Sequence, residues 1–468
     1  MSSMMLPYSM KPEGDISSVF ASLSGDDADK PLEPRFAQLK AEIISGYERE
    51  VKDSWYRLID ALKRENAIIR SSRTAIIPEV DFNNMKNISS DLISEIRTRG
   101  SMIVRGVLPE NNALKLKTDV EDYIRQNPQT KAFPKDKPVV FELYWSWSQI
   151  RARANPRVAE ALAFANSFWH ASPSTHISLK ENIIYADRLR IRQPGDVQFA
   201  LGSHVDGGSI ERWEDPEYRS CYKSIFEGRW EENDFFDATH RVGANMSLYN
   251  TVGGCSVFRS WQGWLSASTT GPGEGTLLVN PLLKLAASYW LLRPFFKPTE
   301  KGNDWQIDTS SIWQGAIPGR GQEMNERLHP ELELSTSMVP IPKVRPGDMV
   351  FWHCDMIHAV DSVHRGQLDS SVFYIPAAPL CEVNVKYLAQ QRDAFTQGIP
   401  PPDFPGGEGE SRHVGRATPE EVITLGGGRA MGLEPFSVKS NMTPGEKEMI
   451  SRANAILNFK NCSQEHNI

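Results

Sequence analysis

The sequence predicts an α+β chain whose core is an antiparallel double-sheet jelly roll or barrel flanked by helices. Three observations predict it. Apolar residues recur at helical spacing through much of the first 170 residues. From about residue 171 to 390 the texture changes to short alternating or apolar runs, each punctuated by Gly or Pro. Beyond that the chain reverts to loops and helix. Helices first, then a block of strands, then helices again favours segregated layers over an alternating parallel sheet. The expected organisation is a flexible tail over 1–33, a mainly helical region over 34–170 packing on the core, a catalytic core over 171–390, and an extension over 391–468.

The elements follow in order. Phe36, Leu39, Ile43, Tyr47, Val51, Trp55, Leu58 and Leu62 place one apolar stripe on an amphipathic helix from Arg35 to about Arg70. "AIIPEVDF" (75–82) reads as a short strand. "SSDLISEIRTRG" reads as a helix with a Ser N-cap and Gly100 at its end. "SMIVRGV" is a strand, "NNALKLKTDVEDYIRQNP" a helix stopped by Pro128, and "RVAEALAFANSFWH" another helix. "NIIYADRLRIRQPGD", "ANMSLYN", "GCSVFRSWQGWLSAST", "GTLLVNP", "DMVFWH" and "SSVFYIPAAP" supply the strands of the core. "PPPDFPGGEGES" (400–411) reads as an exposed linker.

Composition narrows the function classes. The chain has 468 residues, 40% hydrophobic content, 12 Trp and 20 Phe, which is the make-up of a packed globular protein. A net charge of −7 argues against a general nucleic-acid binder, which needs a basic face. The five cysteines, at 221, 255, 354, 381 and 462, are scattered with no C-x-x-C pair. Free thiols in a reducing, cytoplasmic setting are expected. No window of eighteen apolar residues exists, and the first residues lack the form of a secretory signal. The expected partner is a small-molecule substrate, with neither nucleic acid nor membrane.

One stretch carries chemistry: "ALGSHVDGGSIERWEDP" (200–216). His204 and Asp206 are two residues apart, so an extended backbone points both the same way while Val205 points elsewhere. Adding one more His gives the two-His-one-carboxylate set of non-haem Fe(II) oxygenases, which leaves coordination positions open. The third ligand is expected from "RPGDMVFWHCDMIHAVDSV" (345–363) and its continuation, which offer His353, His358 and His364. In "MVFWH", alternation puts His353 at the end of a strand on the face of Met349 and Phe351, among apolar neighbours, whereas His358 opens the next segment.

These stretches, with "LYWSWSQIRARANP", "RLRIRQPGD", "GSHVDGGSIERWED", "WQGWLSAS", "GPGEGTLLVNP", "GDMVFWHCDMIHAVD" and "SSVFYIPAAPLCEVN", resemble the YbiU-like family of bacterial and fungal proteins. That family falls within the Fe(II)/2-oxoglutarate-dependent oxygenase superfamily. The resemblance spans about residues 75–435. It implies a double-stranded β-helix core of the jelly-roll, cupin-like kind. It also implies a ferrous ion on His204, Asp206 and His358, 2-oxoglutarate as co-substrate and O2 as oxidant. Substrate oxidation, hydroxylation in its simplest form, would accompany decarboxylation of 2-oxoglutarate to succinate. The alternatives are a cupin-like metalloenzyme that does not use 2-oxoglutarate, and a non-catalytic binding protein on the same fold.

The distal carboxylate of 2-oxoglutarate needs a buried cation. Much of the superfamily has an Arg for this on the last core strand, ten or so residues beyond the distal His. This sequence departs there: that strand begins Ser370-Ser371-Val372. The candidates are Arg259, Arg190, Arg192 and Arg365, with the hydroxyl of Ser371. Arg212 and Trp213, just after the His-x-Asp pair, are candidates for substrate contact.

Overall fold

The computed structural model describes residues 11–14, 18–24, 29–302 and 304–459. The architecture is mixed α+β with several sheets. The large sheet has eight strands in the order Glu79–Asp81, Ser101–Arg105, Met349–His353, Trp261–Ser266, Ser370–Tyr374, Leu189–Arg192, Val140–Phe141 and Ala132–Phe133. All its pairings are antiparallel except that between the first two strands. A five-stranded sheet runs Gln322–Glu323, His204–Val205, His358–Val360, Leu277–Val279, Val339–Pro340, antiparallel throughout. Every residue of Trp261–Ser266 and Met349–His353 is buried, which suits their apolar make-up at the sheet's centre.

The large sheet takes four strands from upstream of residue 170, so the boundary expected there cuts through a sheet. The single helix expected over 35–70 is two, Arg35–Ile43 and Glu48–Ser72, broken around Gly46 with φ +83°. The longer one buries Val51, Trp55, Leu58 and Leu62, and the Trp55 ring stacks on Tyr289 and Phe296 at 5.4 and 4.7 Å. The helix Ser90–Arg99 has the expected caps, Ser89 accepting from the Leu92 amide and Gly100 left-handed at its end. The strand expected at "ANMSLYN" is a run of turns, because the Asn245 side chain accepts from the Ser247 amide and bends the chain.

One segment expected to be loose is packed, and so are described residues of a second. In the linker-like 400–411, Asp403 and Glu410 are buried; Glu410 accepts from the amides of Tyr144 and Trp145 and from the Tyr123 hydroxyl. The expected tail over 1–33 lies outside the described residues at 1–10, 15–17 and 25–28; within the rest, Lys11 forms a buried ion pair with Asp403 at 2.8 Å, and Phe20 is buried. Among the described residues Cys221, Cys255, Cys354 and Cys381 are free; the expectation for Cys462 lies outside them. No helix among them is long and apolar enough to cross a membrane.

Candidate metal centre

His204 and His358 sit directly opposite each other on adjacent antiparallel strands, which sets their ring centroids 4.2 Å apart. Asp206 follows two residues after His204, where the chain leaves the strand through Gly207 and Gly208, both at positive φ. At Gly208 a Cβ would lie 2.6 Å from the Glu211 carboxylate and 2.8 Å from the Met246 carbonyl, so only glycine fits this bend. One ligand atom from each of His204, Asp206 and His358 lies within 4.8 Å of the others.

The hydrogen bonds around the two imidazoles fix their protons. His204 Nδ1 donates to the Gly202 carbonyl at 2.7 Å, and His358 Nδ1 donates to the Met356 carbonyl at 3.0 Å. In its neutral form each ring, so held, turns a bare Nε2 lone pair inward. These face the Asp206 carboxylate, His204 Nε2 at 3.5 Å from Oδ1 and His358 Nε2 at 3.8 Å from Oδ2. Burial, followed by the neighbouring His204, pushes His358 down to about 3, so it is neutral at physiological pH. Burial pushes the Asp206 carboxyl up, but the positive charge that the His358 and His204 rings carry when protonated, with that of Arg259, outweighs it and holds it at about 2. With both rings in that neutral form, two lone pairs and a carboxylate converge. A divalent cation fits that donor set; two nitrogens and an oxygen of this kind suit a first-row metal.

Asp206 is itself held. Gln262 donates its amide N–H to Asp206 Oδ2 at 2.7 Å and accepts from Trp352 Nε1 at 3.1 Å. Arg259 Nη2 donates to the same oxygen at 3.4 Å. Arg212 lies behind the centre: its Nη2 donates to the Asp206 carbonyl at 2.6 Å and its Nη1 to the Gly208 carbonyl at 2.8 Å.

A second cluster, His353, Cys354 and Asp355, has similar residue types within reach of one another. Its atoms are already committed. His353 Nε2 donates to the Phe235 carbonyl at 3.0 Å while Nδ1 accepts from the Asp355 amide at 3.0 Å, and the ring stacks on Trp169. The Asp355 carboxylate is paired with Arg241 and accepts from the Tyr222 hydroxyl at 2.8 Å. Burial raises the Cys354 thiol to about 12. Both imidazole nitrogens are spent on the protein, the carboxylate is paired with a cation and the thiol keeps its proton, so this cluster is not poised for a metal.

A cavity of about 1090 Å³, counting its open mouth, adjoins the three convergent side chains and is lined from both sheets. Of the sequence-expected cations, Arg190 and Arg259 line it. Arg190 is buried, donates to Ser370 Oγ at 3.3 Å, and leaves its Nε without a partner. Burial draws it below the ordinary guanidinium range, and Arg192 alongside adds to that. Arg192 is consumed elsewhere: it donates to Asp196 Oδ2 at 2.7 Å, to the Asp361 carbonyl at 2.6 Å and to the Ser362 carbonyl at 3.3 Å. Arg365 is exposed and outside the lining, and the Ser371 hydroxyl turns away from the cavity to Asp369. Trp213 is fully buried, donates to the Leu291 carbonyl and packs on Trp290 and Trp313. Neither it nor Arg212 lines the cavity, because both side chains point into the body behind the glycine bend.

The sequence reading missed Arg188, Gln262, Tyr374 and Phe20, all of which line the cavity. The Phe20 ring meets His204 edge-on at 4.7 Å. Period-two alternation could have found Tyr374, which shares a face with Ser370, and Gln262, which shares one with Trp264. No local signal marked Phe20.

Comparison with known proteins gives consistent relatives. A family model described as Gig2-like matches residues 30–433. The Escherichia coli (strain K12) protein YbiU is 32% identical over 381 residues, covering 78% of this chain and 87% of the relative. The crystal structure of GlcNAc Inducible Gene 2, GIG2 (DUF1479), from Candida albicans superposes with a TM-score of 0.85 at 33% identity, over 92% of this chain and 96% of that one. The hypothetical protein JW0805 from Escherichia coli, solved at high pH, gives 0.75 at 30% identity, over 87% and 98%.

Proposed function

The chain belongs to the Gig2-like family, and on that premise we propose that it is a non-haem Fe(II)- and 2-oxoglutarate-dependent dioxygenase on a double-stranded β-helix core, oxidising a small-molecule substrate with release of succinate. The observation that carries this reading is the convergence of two bare Nε2 lone pairs and the Asp206 carboxylate beside a cavity with an under-bonded buried arginine. His204, Asp206 and His358 would hold the iron. With 2-oxoglutarate and O2, that ion supplies oxidation of an unactivated C–H bond coupled to decarboxylation of the oxo acid.

The chain's own residues do the positioning. The carbonyls of Gly202 and Met356 lock both imidazoles, and Gln262 and Arg259 lock the carboxylate, so no ligand has to reorganise when the ion arrives. Arg190 is the residue for the distal carboxylate of 2-oxoglutarate, with Ser370 and Tyr374 beside it on the neighbouring strand. That arrangement accounts for the missing arginine on the last strand: Arg190 stands opposite Val372 in the register, one strand across. Trp264, Trp352 and Phe20 give the cavity apolar walls that exclude water.

The test is succinate formation from 2-oxoglutarate by purified protein supplied with iron and ascorbate, with no other substrate. Slow succinate release dependent on iron supports the reading. Tight iron binding without any succinate would favour the cupin-like alternative, and absence of metal binding the non-catalytic one.

A further inference from the structure

Three guanidinium groups line the cavity, Arg188, Arg190 and Arg259, against two carboxylates, Asp187 and Asp206. Resting on the reading above, a divalent ion and the 2-oxoglutarate dianion cancel. One positive charge then remains among the side chains that line this open-mouthed, partly aromatic cavity. Such a charge favours an anionic over a neutral guest.

Arg188 is placed to use it. Its Nε contacts Asp187 Oδ1 at 3.2 Å, and its guanidinium lies over the Phe404 ring at 4.5 Å. Its two terminal nitrogens donate to no protein atom among the described residues. Arg190 reaches Ser370 and Arg259 reaches Asp206 with theirs. Arg188 and Phe404 also line an outer recess that adjoins the cavity, where Glu13 and Glu142 stand, Glu13 paired with Lys131. The free fork therefore sits between the surface and the centre. Held over an aromatic ring, it offers two parallel N–H groups, the pattern that matches a carboxylate.

We propose that the primary substrate is a small organic acid with a single carboxylate, held by Arg188, and that this residue sets the charge specificity of the cavity. One surplus charge matches one carboxylate; a phosphate monoester, carrying about −1.5 to −2 at pH 7, would overshoot it.

The test uses monocarboxylates from acetate to phenylacetate, each matched with its primary amide, and the corresponding phosphate monoesters. Binding to the iron-free protein is measured by calorimetry, and stimulation of succinate release by the loaded protein is measured in parallel. Acids should bind about ten- to hundredfold more tightly than their amides, the scale of one charge-assisted hydrogen-bonded pair. Arg188→Gln should erase that preference, and Arg188→Lys, which keeps the charge but loses the fork, should retain part of it; melting curves establish that each variant is folded. Equal binding of acids and amides, preference for phosphate monoesters, or an acid preference surviving in folded Arg188→Gln overturns the proposal. If the wild-type chain makes no succinate from 2-oxoglutarate at all, the dioxygenase reading fails instead, whatever the binding panel shows.

Discussion

His204 and His358 face each other across one antiparallel register position, and each donates Nδ1–H to the carbonyl two residues before it. The same local device is built twice, on neighbouring strands, and aims the same ring atom at the same carboxylate. His353, five residues before His358, has both nitrogens in hydrogen bonds instead.

His358→Ala should therefore abolish stoichiometric iron binding and leave the protein folded. His353→Ala should do the reverse, removing a ring stacked on Trp169 in a fully buried position and costing about 2–4 kcal/mol of stability. Metal content by elemental analysis and thermal unfolding of both variants check this. Loss of metal in His353→Ala with full retention in His358→Ala would assign the centre to the other cluster.

Gln262→Leu should weaken iron binding roughly 10–100-fold without displacing any of the three convergent residues, because it strips the carboxylate of its 2.7 Å donor. It also strands the Trp352 indole N–H, so a small loss of stability accompanies it. A chelator titration of the metal-loaded protein measures the first effect and denaturant unfolding the second.

Arg190 and Arg192 lie on the same face of one strand, yet their substitution should have opposite consequences. Arg190→Gln should raise the 2-oxoglutarate requirement by about 10–100-fold and leave the melting temperature unchanged or higher, since an under-bonded buried cation is removed. Arg192→Gln should leave Asp196 buried without its partner and cost about 3–5 kcal/mol. Calorimetric titration with 2-oxoglutarate and thermal unfolding separate the two.

Glu410 gives a pH signature. Burial is the largest cause that raises its carboxyl from 4.5 to about 7. The unfolded chain releases this proton near the lower value, while the folded chain keeps it until the higher one. Between the two the native state binds more protons, so Glu410 lowers stability as pH rises from about 4.5 to 7, by roughly 3 kcal/mol at most. Glu410→Gln keeps an oxygen for the two backbone amides and should flatten that part of the curve. Unfolding free energies of both proteins at pH 5 and 7.5 give the difference; identical slopes would contradict it.

The helices, much of the strand texture and the His204–Asp206 pair were legible because each follows from a spacing within a few residues; His358, far downstream, joined them through the family resemblance. The choice among arginines was not. Arg190 and Arg192 carry the same side chain two residues apart, and what separates them is supplied by Asp196, Asp361 and Ser370 from other parts of the chain. Arg212 and Trp213 misled for a related reason. Proximity in sequence to His204 suggested the cavity, but the Gly207-Gly208 bend turns the following helix into the body. The buried role of 400–411 was hidden because its Pro and Gly content is that of a linker, while Asp403 and Glu410 find their partners at Lys11, Tyr123 and Tyr144.

The contact of Phe20 with His204 and the ion pair of Lys11 with Asp403 place residues remote in sequence from both sheets against the body of the protein. Phe20 belongs to neither sheet, yet it closes one side of the cavity beside His204. Access to the three convergent side chains and the integrity of the sheets that carry them are therefore separable properties of this chain.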